Sequence, residues 1–307
     1  MEQEQTKNVW TIVKILDWTR QYFADKGIEN PRLDAEILLC AVLDCPRINL
    51  YVHFDQPLAV EELKKYREYV LRRGRQEPLA YILGEKAFMD YVFKVTPAVL
   101  VPRPETELLV ESLVKMNDSA KKIKILDIGT GSGAIIVSLL SLLPLAEGTA
   151  VDISPAALAV AAENAQSMGV SNRFQPVLSD LYNNLPAGEK YNIIVSNPPY
   201  IPTADLSTLA ADVQKEPRGA LDGGKDGLDF YRRIIAGAER FLLPEGLLAF
   251  EIGIGQADDV VRLCLEQGLP ITAVLKDYAG IERMIFATKE GSVYEDSLMA
   301  LGKESRK

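Results

Sequence analysis

Ile125-Leu126-Asp127-Ile128-Gly129-Thr130-Gly131-Ser132-Gly133-Ala134 reads as a buried strand, a glycine turn and the start of a helix. Gly129 and Gly131 let the backbone turn sharply and come close to a ligand, and Gly133 removes a side chain where helix meets strand. Around this stretch the chain alternates. β-type runs are expected at 124–128, 149–153, 174–178, 191–196, 246–251, 271–276 and 283–287, and helices at 134–143, 155–168, 228–243 and 257–267. Such alternation implies an α/β domain, a mostly parallel sheet covered on both faces. The glycine turn then marks the ligand end of its first strand. The connection at 277–282 is too short for a crossover helix, so the last two strands should be antiparallel neighbours.

Upstream, the pattern is helical. Val9, Ile12, Val13 and Leu16 recur at helical spacing, Asn30-Pro31 looks like a cap followed by proline at the first helical position, and a third helix is expected over 60–73. Residues 1–85 therefore read as a small helical bundle. Residues 86–101, rich in β-formers, read as a hairpin linker. Residues 102–290 form the α/β domain, and 291–307 a polar, frayed tail.

Composition sets bounds on function. The chain has 307 residues, 48% apolar and 25% charged, with 34 basic against 43 acidic side chains and a net charge of −9. The balance is −2 over 1–85 and −7 over 86–307. An acidic catalytic half argues against a direct nucleic-acid substrate, which calls for a basic face. Cys40, Cys45 and Cys264 make neither a disulfide framework nor a zinc pattern, and His53 is the single histidine. No metal site is expected, and a reducing cytoplasmic setting is. Met1 to Asn8 lacks the basic start and apolar run of a signal peptide, and no uninterrupted apolar stretch reaches the roughly 18 residues of a membrane span.

The glycine turn departs from the dinucleotide fingerprint, because Ala134 stands where the third glycine is wanted. Preceded by Asp127, it resembles instead the first motif of S-adenosylmethionine (SAM) dependent methyltransferases; taken alone it also fits a structural turn. Asp152 ends the next strand about twenty residues later, where a carboxylate can accept hydrogen bonds from both ribose hydroxyls. The competing reading is a helix-N-terminal acid ahead of Pro155, a cap for which Ser154 is better placed. Asp180, at the end of the third strand, could accept the exocyclic amine of adenine, with Leu181 against the ring; alone it reads equally as a loop aspartate.

The fourth strand stops at Asn197-Pro198-Pro199-Tyr200. Two prolines end a ladder and stiffen the turn, so a rigid turn with an exposed tyrosine is the plain reading. Its place beside the glycine-loop strand suggests more. A planar NH2 group is a poor nucleophile. The Asn197 carboxamide oxygen and the Pro198 carbonyl could each accept one of its hydrogens, with the Tyr200 ring packed on the flat acceptor. Methyl transfer from a sulfonium is an in-line displacement in which positioning supplies much of the rate.

Taken together, Pro102 to Glu107 (Pro-Arg-Pro-Glu-Thr-Glu), Leu126 to Gly133, Asn197 to Tyr200, Glu216 to Gly224, Phe250 to Gly253 and Asp277 to Gly280 resemble the bacterial protein-(glutamine-N5) methyltransferases that act on peptide-chain release factors. The resemblance spans nearly the whole chain. It implies a Rossmann-like, seven-stranded mostly parallel sheet with a small N-terminal helical-bundle domain and a β-hairpin linker. It implies SAM as cofactor, with Gly129, Thr130, Gly131, Ser132, Gly133, Asp152, Asp180, Leu181 and Asn197 at the cofactor-contacting positions. Leu181 departs from the aromatic residue common in the family. Asn197, Pro198, Pro199 and Tyr200 match the turn that holds the substrate glutamine, and Asn197, Pro198 and Tyr200 are the expected catalytic residues. The implied partner is a class 1 release factor, methylated in its Gly-Gly-Gln loop, with the helical domain docking it. Lys64, Lys65, Arg67, Arg72, Arg73 and Arg75 could steer that docking, or form a solvated helix face. Two other readings stand beside this one: an adenine-N6 nucleic-acid methyltransferase, which shares the Asn-Pro-Pro-Tyr turn, and a non-catalytic SAM-binding module.

Overall fold

A computed structural model describes residues 9–304, with side chains through residue 301. The expectation for Met1 to Asn8 lies outside the described residues. The chain divides into two compact units, one holding the residues up to Gly84 together with Ala211–Lys215, the other Glu85–Ala210 and the chain from Glu216 onward.

The first unit is helical: α1 (Ile12–Asp25), α2 (Pro31–Leu43), α3 (Ile48–Val52), α4 (Val60–Arg73) and α5 (Leu79–Leu83). Phe23, Leu38, Leu39, Tyr66 and Val70 form its core. Pro31 opens α2 as expected, although Asn30 makes no side-chain cap. Two of the six basic residues are committed inside the unit. Arg72 pairs with Glu77, and the Arg73 side chain, 7% exposed, pairs with Asp34 at 2.7 Å and with Asp212 at 3.2 Å. A buried guanidinium between two carboxylates is structural and removes Arg73 from any steering surface.

The second unit opens with the hairpin β1 (Glu85–Phe88) and β2 (Tyr91–Lys94), followed by α6 (Pro104–Lys115). Then come β3 (Lys124–Ile128), α7 (Ala134–Leu142), β4 (Glu147–Asp152), α8 (Pro155–Ser167), β5 (Phe174–Leu178) and β6 (Tyr191–Ser196). After a long loop follow α9 (Asp229–Phe241), β7 (Leu242–Glu251), α10 (Ala257–Glu266), β8 (Ile271–Lys276), β9 (Glu282–Thr288) and α11 (Glu295–Glu304). The sheet order is β5-β4-β3-β6-β7-β9-β8, parallel through β7, with β9 antiparallel to both its neighbours. Its central strands are apolar on both faces because two helical layers cover them: Ile125 belongs to one core cluster and Leu126 to the other. The order of strands reverses between β3 and β6, so their carboxyl ends open a crevice, the usual ligand position in such sheets.

The tail differs from expectation. Residues 295–304 are helical, and Tyr294 and Leu298, the latter 1% exposed, enter the core beneath β8. Tyr294 donates to Asn117 Oδ1 at 2.8 Å and Ser292 donates to the Glu245 carbonyl at 2.8 Å. Tyr294, Leu298 and Leu301 follow an i, i+4, i+7 spacing that places one side of an otherwise polar helix on the sheet. Leu298→Ala should therefore cost about 2 kcal/mol of stability, measured by denaturant unfolding; a loss below about 0.5 kcal/mol, the range of surface substitutions, would return the tail to a frayed segment. No helix of the described residues is long and apolar enough to cross a membrane.

Candidate active site

At the crevice the loop after β3 folds over the end of β4. The amides of Gly129 and Thr130 both donate to the Val151 carbonyl, at 2.8 and 2.9 Å. Gly129, Gly131 and Gly133 have φ of +74°, +55° and +80°, which L side chains rarely adopt. A Cβ on Gly131 would meet nothing within 4 Å, so the loop leaves open space above it. Asp127 lies beneath, fully buried, accepting from Thr130 Oγ1 at 2.7 Å; burial pushes its carboxyl up to about 7.

Asp152 ends β4 with both oxygens engaged by backbone. Oδ2 accepts from the Gly131 amide and Oδ1 from the Ser154 amide, each at 2.9 Å. Ser154, not Asp152, caps α8, accepting from Ala157 N at 3.2 Å. The aspartate is thus held by the glycine loop and lines the cavity. Asp180 is met by a residue the sequence reading missed: Arg233, from α9, donates to it at 2.6 Å. Leu181 has φ +51°, an uncommon conformation for a non-glycine residue, and packs against the core cluster that contains α9. Tyr182 locks the same turn by donating to the Ile234 carbonyl at 2.8 Å.

On the other side of the crevice, Ser196 at the end of β6 donates to the Ile128 carbonyl at 2.6 Å, joining the two strand ends. Asn197 follows, half-buried, with Nδ2 donating to Thr106 Oγ1 at 3.3 Å. Thr106, from α6, donates in turn to Glu251 Oε2 at the end of β7. Burial pushes the Glu251 carboxyl up to about 7. The Tyr200 hydroxyl is likewise pushed up to about 12 by burial; its backbone carbonyl accepts from Gln256 Nε2 at 3.0 Å. The glycine-rich segment from Asp222 onward closes on this turn. Ile201 N donates to the Leu221 carbonyl at 3.1 Å and Gly223 N to the Ile201 carbonyl at 2.8 Å. At Gly227 a Cβ would stand 2.3 Å from the Tyr200 carbonyl, so only glycine permits that approach.

Glu216, buried, accepts from Val101 N at 2.9 Å and Arg103 Nη2 at 2.5 Å. That pair fastens the Pro-Arg-Pro-Glu-Thr-Glu entry of α6 over the crevice. The cavity at the crevice is about 460 Å³, within the range of small-molecule and cofactor pockets. Every residue expected at the site lines it except Gly133, which opens α7, and Tyr200, which packs behind the turn. Thr106, Glu216, Arg233 and Glu251 join the site although the sequence alone did not assign them a role there. One signal was available for Glu251, a lone acid ending the apolar run Leu247 to Phe250 on the strand beside Asn197. Among the described residues no cluster of metal-ligating side chains occurs.

The arrangement joins a glycine cradle with open space above it, carboxylates at the ends of two neighbouring strands, and a stiff turn offering a carboxamide and a carbonyl. It suits a ligand with a vicinal diol and an amino-bearing ring, set beside a planar NH2 group. A family model described as the PrmC N-terminal domain matches residues 14–84, and one described as the methyltransferase small domain matches residues 104–225. The chain is 47% identical over 278 residues to a release factor glutamine methyltransferase of Geobacter sulfurreducens, covering 90% of this chain and 96% of that one. It is 46% identical over 262 residues to the protein of the same name from Moorella thermoacetica, covering 85% and 92%. Among solved structures, the hMettl16 catalytic domain bound to the MAT2A 3′UTR hairpin 6 superposes with a TM-score of 0.51 at 15% identity, covering 76% of this chain and 84% of that one. The T. thermophilus 16S rRNA N2 G1207 methyltransferase (RsmC), in complex with AdoMet and guanosine, gives 0.50 at 20%, covering 67% and 50%. These two likenesses establish the methyltransferase fold.

Proposed function

The chain belongs to the release factor glutamine methyltransferase family, and on that premise we propose that it methylates the side-chain amide nitrogen (N5) of the glutamine in the Gly-Gly-Gln loop of class 1 peptide-chain release factors, with SAM as donor. The observation that carries this reading is the Asn197–Pro198 turn at the edge of the cavity, rigid and lined with hydrogen-bond acceptors beside the glycine cradle.

SAM would supply an electrophilic methyl group on a sulfonium, its S–CH3 bond breaking as the N–CH3 bond forms, with S-adenosyl-L-homocysteine leaving and one amide proton lost to solvent. The chain's own residues position and shield. Gly129 to Gly133 would form the cradle, Asp152, held by the Gly131 amide, would accept the ribose hydroxyls, and Asp180, held by Arg233, would take the adenine amine with Leu181 at the ring. The substrate amide presents two N–H groups. Asn197 Oδ1 accepts one and the Pro198 carbonyl the other, which draws electron density to nitrogen and fixes it in line with the methyl carbon. Pro198 and Pro199 hold both acceptors without reorganisation, and Tyr200, packed behind the turn against the core, supports them from beneath. No imidazole is needed, in keeping with a chain whose single histidine is His53 in the helical unit. That unit is proposed to dock the release factor, and the reaction is proposed to take place in the cytoplasm.

The test is methyl transfer from labelled SAM to purified, unmodified release factor, with adenine-containing duplex DNA as the competing acceptor. Label on the release factor is the expected result; label on DNA alone would establish the adenine-N6 reading instead, and cofactor binding without transfer to either would leave a binding module.

A further inference from the structure

Glu251 and Thr106 form a chain of hydrogen bonds that ends on Asn197. We propose that Glu251, together with Thr106, sets which end of the Asn197 amide faces the substrate, making both of them positioning residues for methyl transfer; the proposal rests on the glutamine-methylation reading above.

An ionised carboxylate only accepts hydrogen bonds, whereas a hydroxyl donates one and accepts others. Glu251 is almost wholly enclosed at the end of β7, so its carboxylate obliges the Thr106 hydroxyl to point its proton at Oε2. The hydroxyl oxygen is then left as an acceptor toward Asn197. Only the NH2 end of the carboxamide can meet it, at 3.3 Å. Oδ1 is thereby directed away from Thr106, to the side where a substrate N–H must be received. The opposite rotamer would present two donors to the substrate's own NH2 and repel it. A planar amide differs little in shape between its two orientations, so packing alone does not choose between them. The two acceptors that meet its NH2 end do: the Thr106 hydroxyl oxygen and the Glu251 carboxylate itself.

This direction depends on the ionisation of Glu251. From α6, Glu105 faces it and opposes its charge; from β9, Arg283 favours that charge; Tyr200 lies beside it on the turn, and Tyr231 of α9 donates to its backbone carbonyl at 2.9 Å. Burial outweighs the hydrogen bond from Thr106, the charge of Arg283 and the hydrogen bond from Asn197, and the carboxyl is pushed up to about 7. Once protonated, Glu251 can donate to Thr106, whose proton then turns to Asn197 and the amide loses its preferred direction. Activity should fall as pH drops through about 7, with orientation lost in the protonated form. Glu251→Gln imitates that form at every pH.

The test measures kcat and KM for release factor, and the dissociation constant for SAM, with wild-type protein, Glu251→Gln, Thr106→Val and Thr106→Ser. Wild-type turnover on the release factor is the control for the reaction itself; its absence would sink the functional reading, not this one. With the control active, kcat should fall about tenfold in Glu251→Gln, the worth of one hydrogen bond, with KM and cofactor affinity unchanged within about twofold. The acid limb near pH 7 should disappear in that variant. Thr106→Val should lower kcat in the same direction and Thr106→Ser should recover most of that loss, separating a hydroxyl's direction from mere packing. Glu251→Gln with wild-type kcat and an intact acid limb would overturn the proposal. So would a Thr106→Ser variant no better than Thr106→Val.

Discussion

Asn197→Ala should lower kcat on a release factor by about 10²–10³-fold, the loss typical when one preorganised hydrogen-bond partner of a reacting group is removed, while folding stays close to wild type. The asymmetry follows from where the residue sits. Asn197 lies just beyond β6, half-buried, and its side chain donates to Thr106 at 3.3 Å. Removing the carboxamide leaves the Thr106–Glu251 bond in place and the Ser196–Ile128 tie untouched. Pro198 and Pro199 still hold the turn. What disappears is the oxygen that accepts one substrate N–H, an interaction that strengthens as nitrogen becomes pyramidal and therefore acts on kcat more than on KM. Single-turnover transfer from labelled SAM, with thermal unfolding as control, measures it. Turnover within tenfold of wild type in a folded variant would remove the amide clamp from the mechanism.

Asp152→Ala should divide the other way, raising the dissociation constant for SAM by about 10²-fold and leaving kcat at saturating cofactor nearly unchanged. A hydrogen bond to a charged group contributes about 1.5–3 kcal/mol, and the carboxylate is proposed to receive two ribose hydroxyls. Its oxygens are already oriented by the amides of Gly131 and Ser154 at 2.9 Å each, so it meets the ligand without reordering. The same bonds make Asp152 part of the loop's own geometry, since alanine leaves the Gly131 amide without its partner. Titration calorimetry with SAM gives the constant directly, and an unchanged value would end the ribose assignment.

The central sheet was legible because its determinants are local. The run Ile125 to Ala134 carries strand, turn and helix in ten consecutive residues, and the short 277–282 connection identifies the antiparallel pair. Thr106, Glu216 and Glu251 were visible only as letters inside recognisable motifs. Their partners lie far along the chain, Thr106 with Glu251 at a separation of 145 residues and Arg103 with Glu216 at 113. Periodicity says nothing about such pairs. Arg233 escaped notice for the same reason, 53 residues from Asp180 on a helix that reads simply as amphipathic. The short α3 and α5, five residues each, are briefer than any hydrophobic repeat can reveal. In α11 the apolar residues Leu298 and Leu301 stand among charged and small ones, and only the position of β8 makes a burying face of them.

The basic cluster on α4 shows how structure reassigns charge. Six cations crowd residues 64–75, yet Arg73 is buried between Asp34 and Asp212, and Arg72 donates to Glu77 and to the carbonyls of Tyr81 and Ile82. Both hold the helical unit together, so any attraction for an acidic partner falls to Lys64, Lys65, Arg67 and Arg75.

Tandem mass spectrometry of a purified class 1 release factor, after incubation with this protein and SAM, tests the central claim most directly. A single methyl group should appear on the side chain of the glutamine in the Gly-Gly-Gln loop, and should fail to appear when Asn197→Ala replaces the wild-type protein. A methyl group on any other residue, or an unmodified loop alongside turnover on another acceptor, would contradict it.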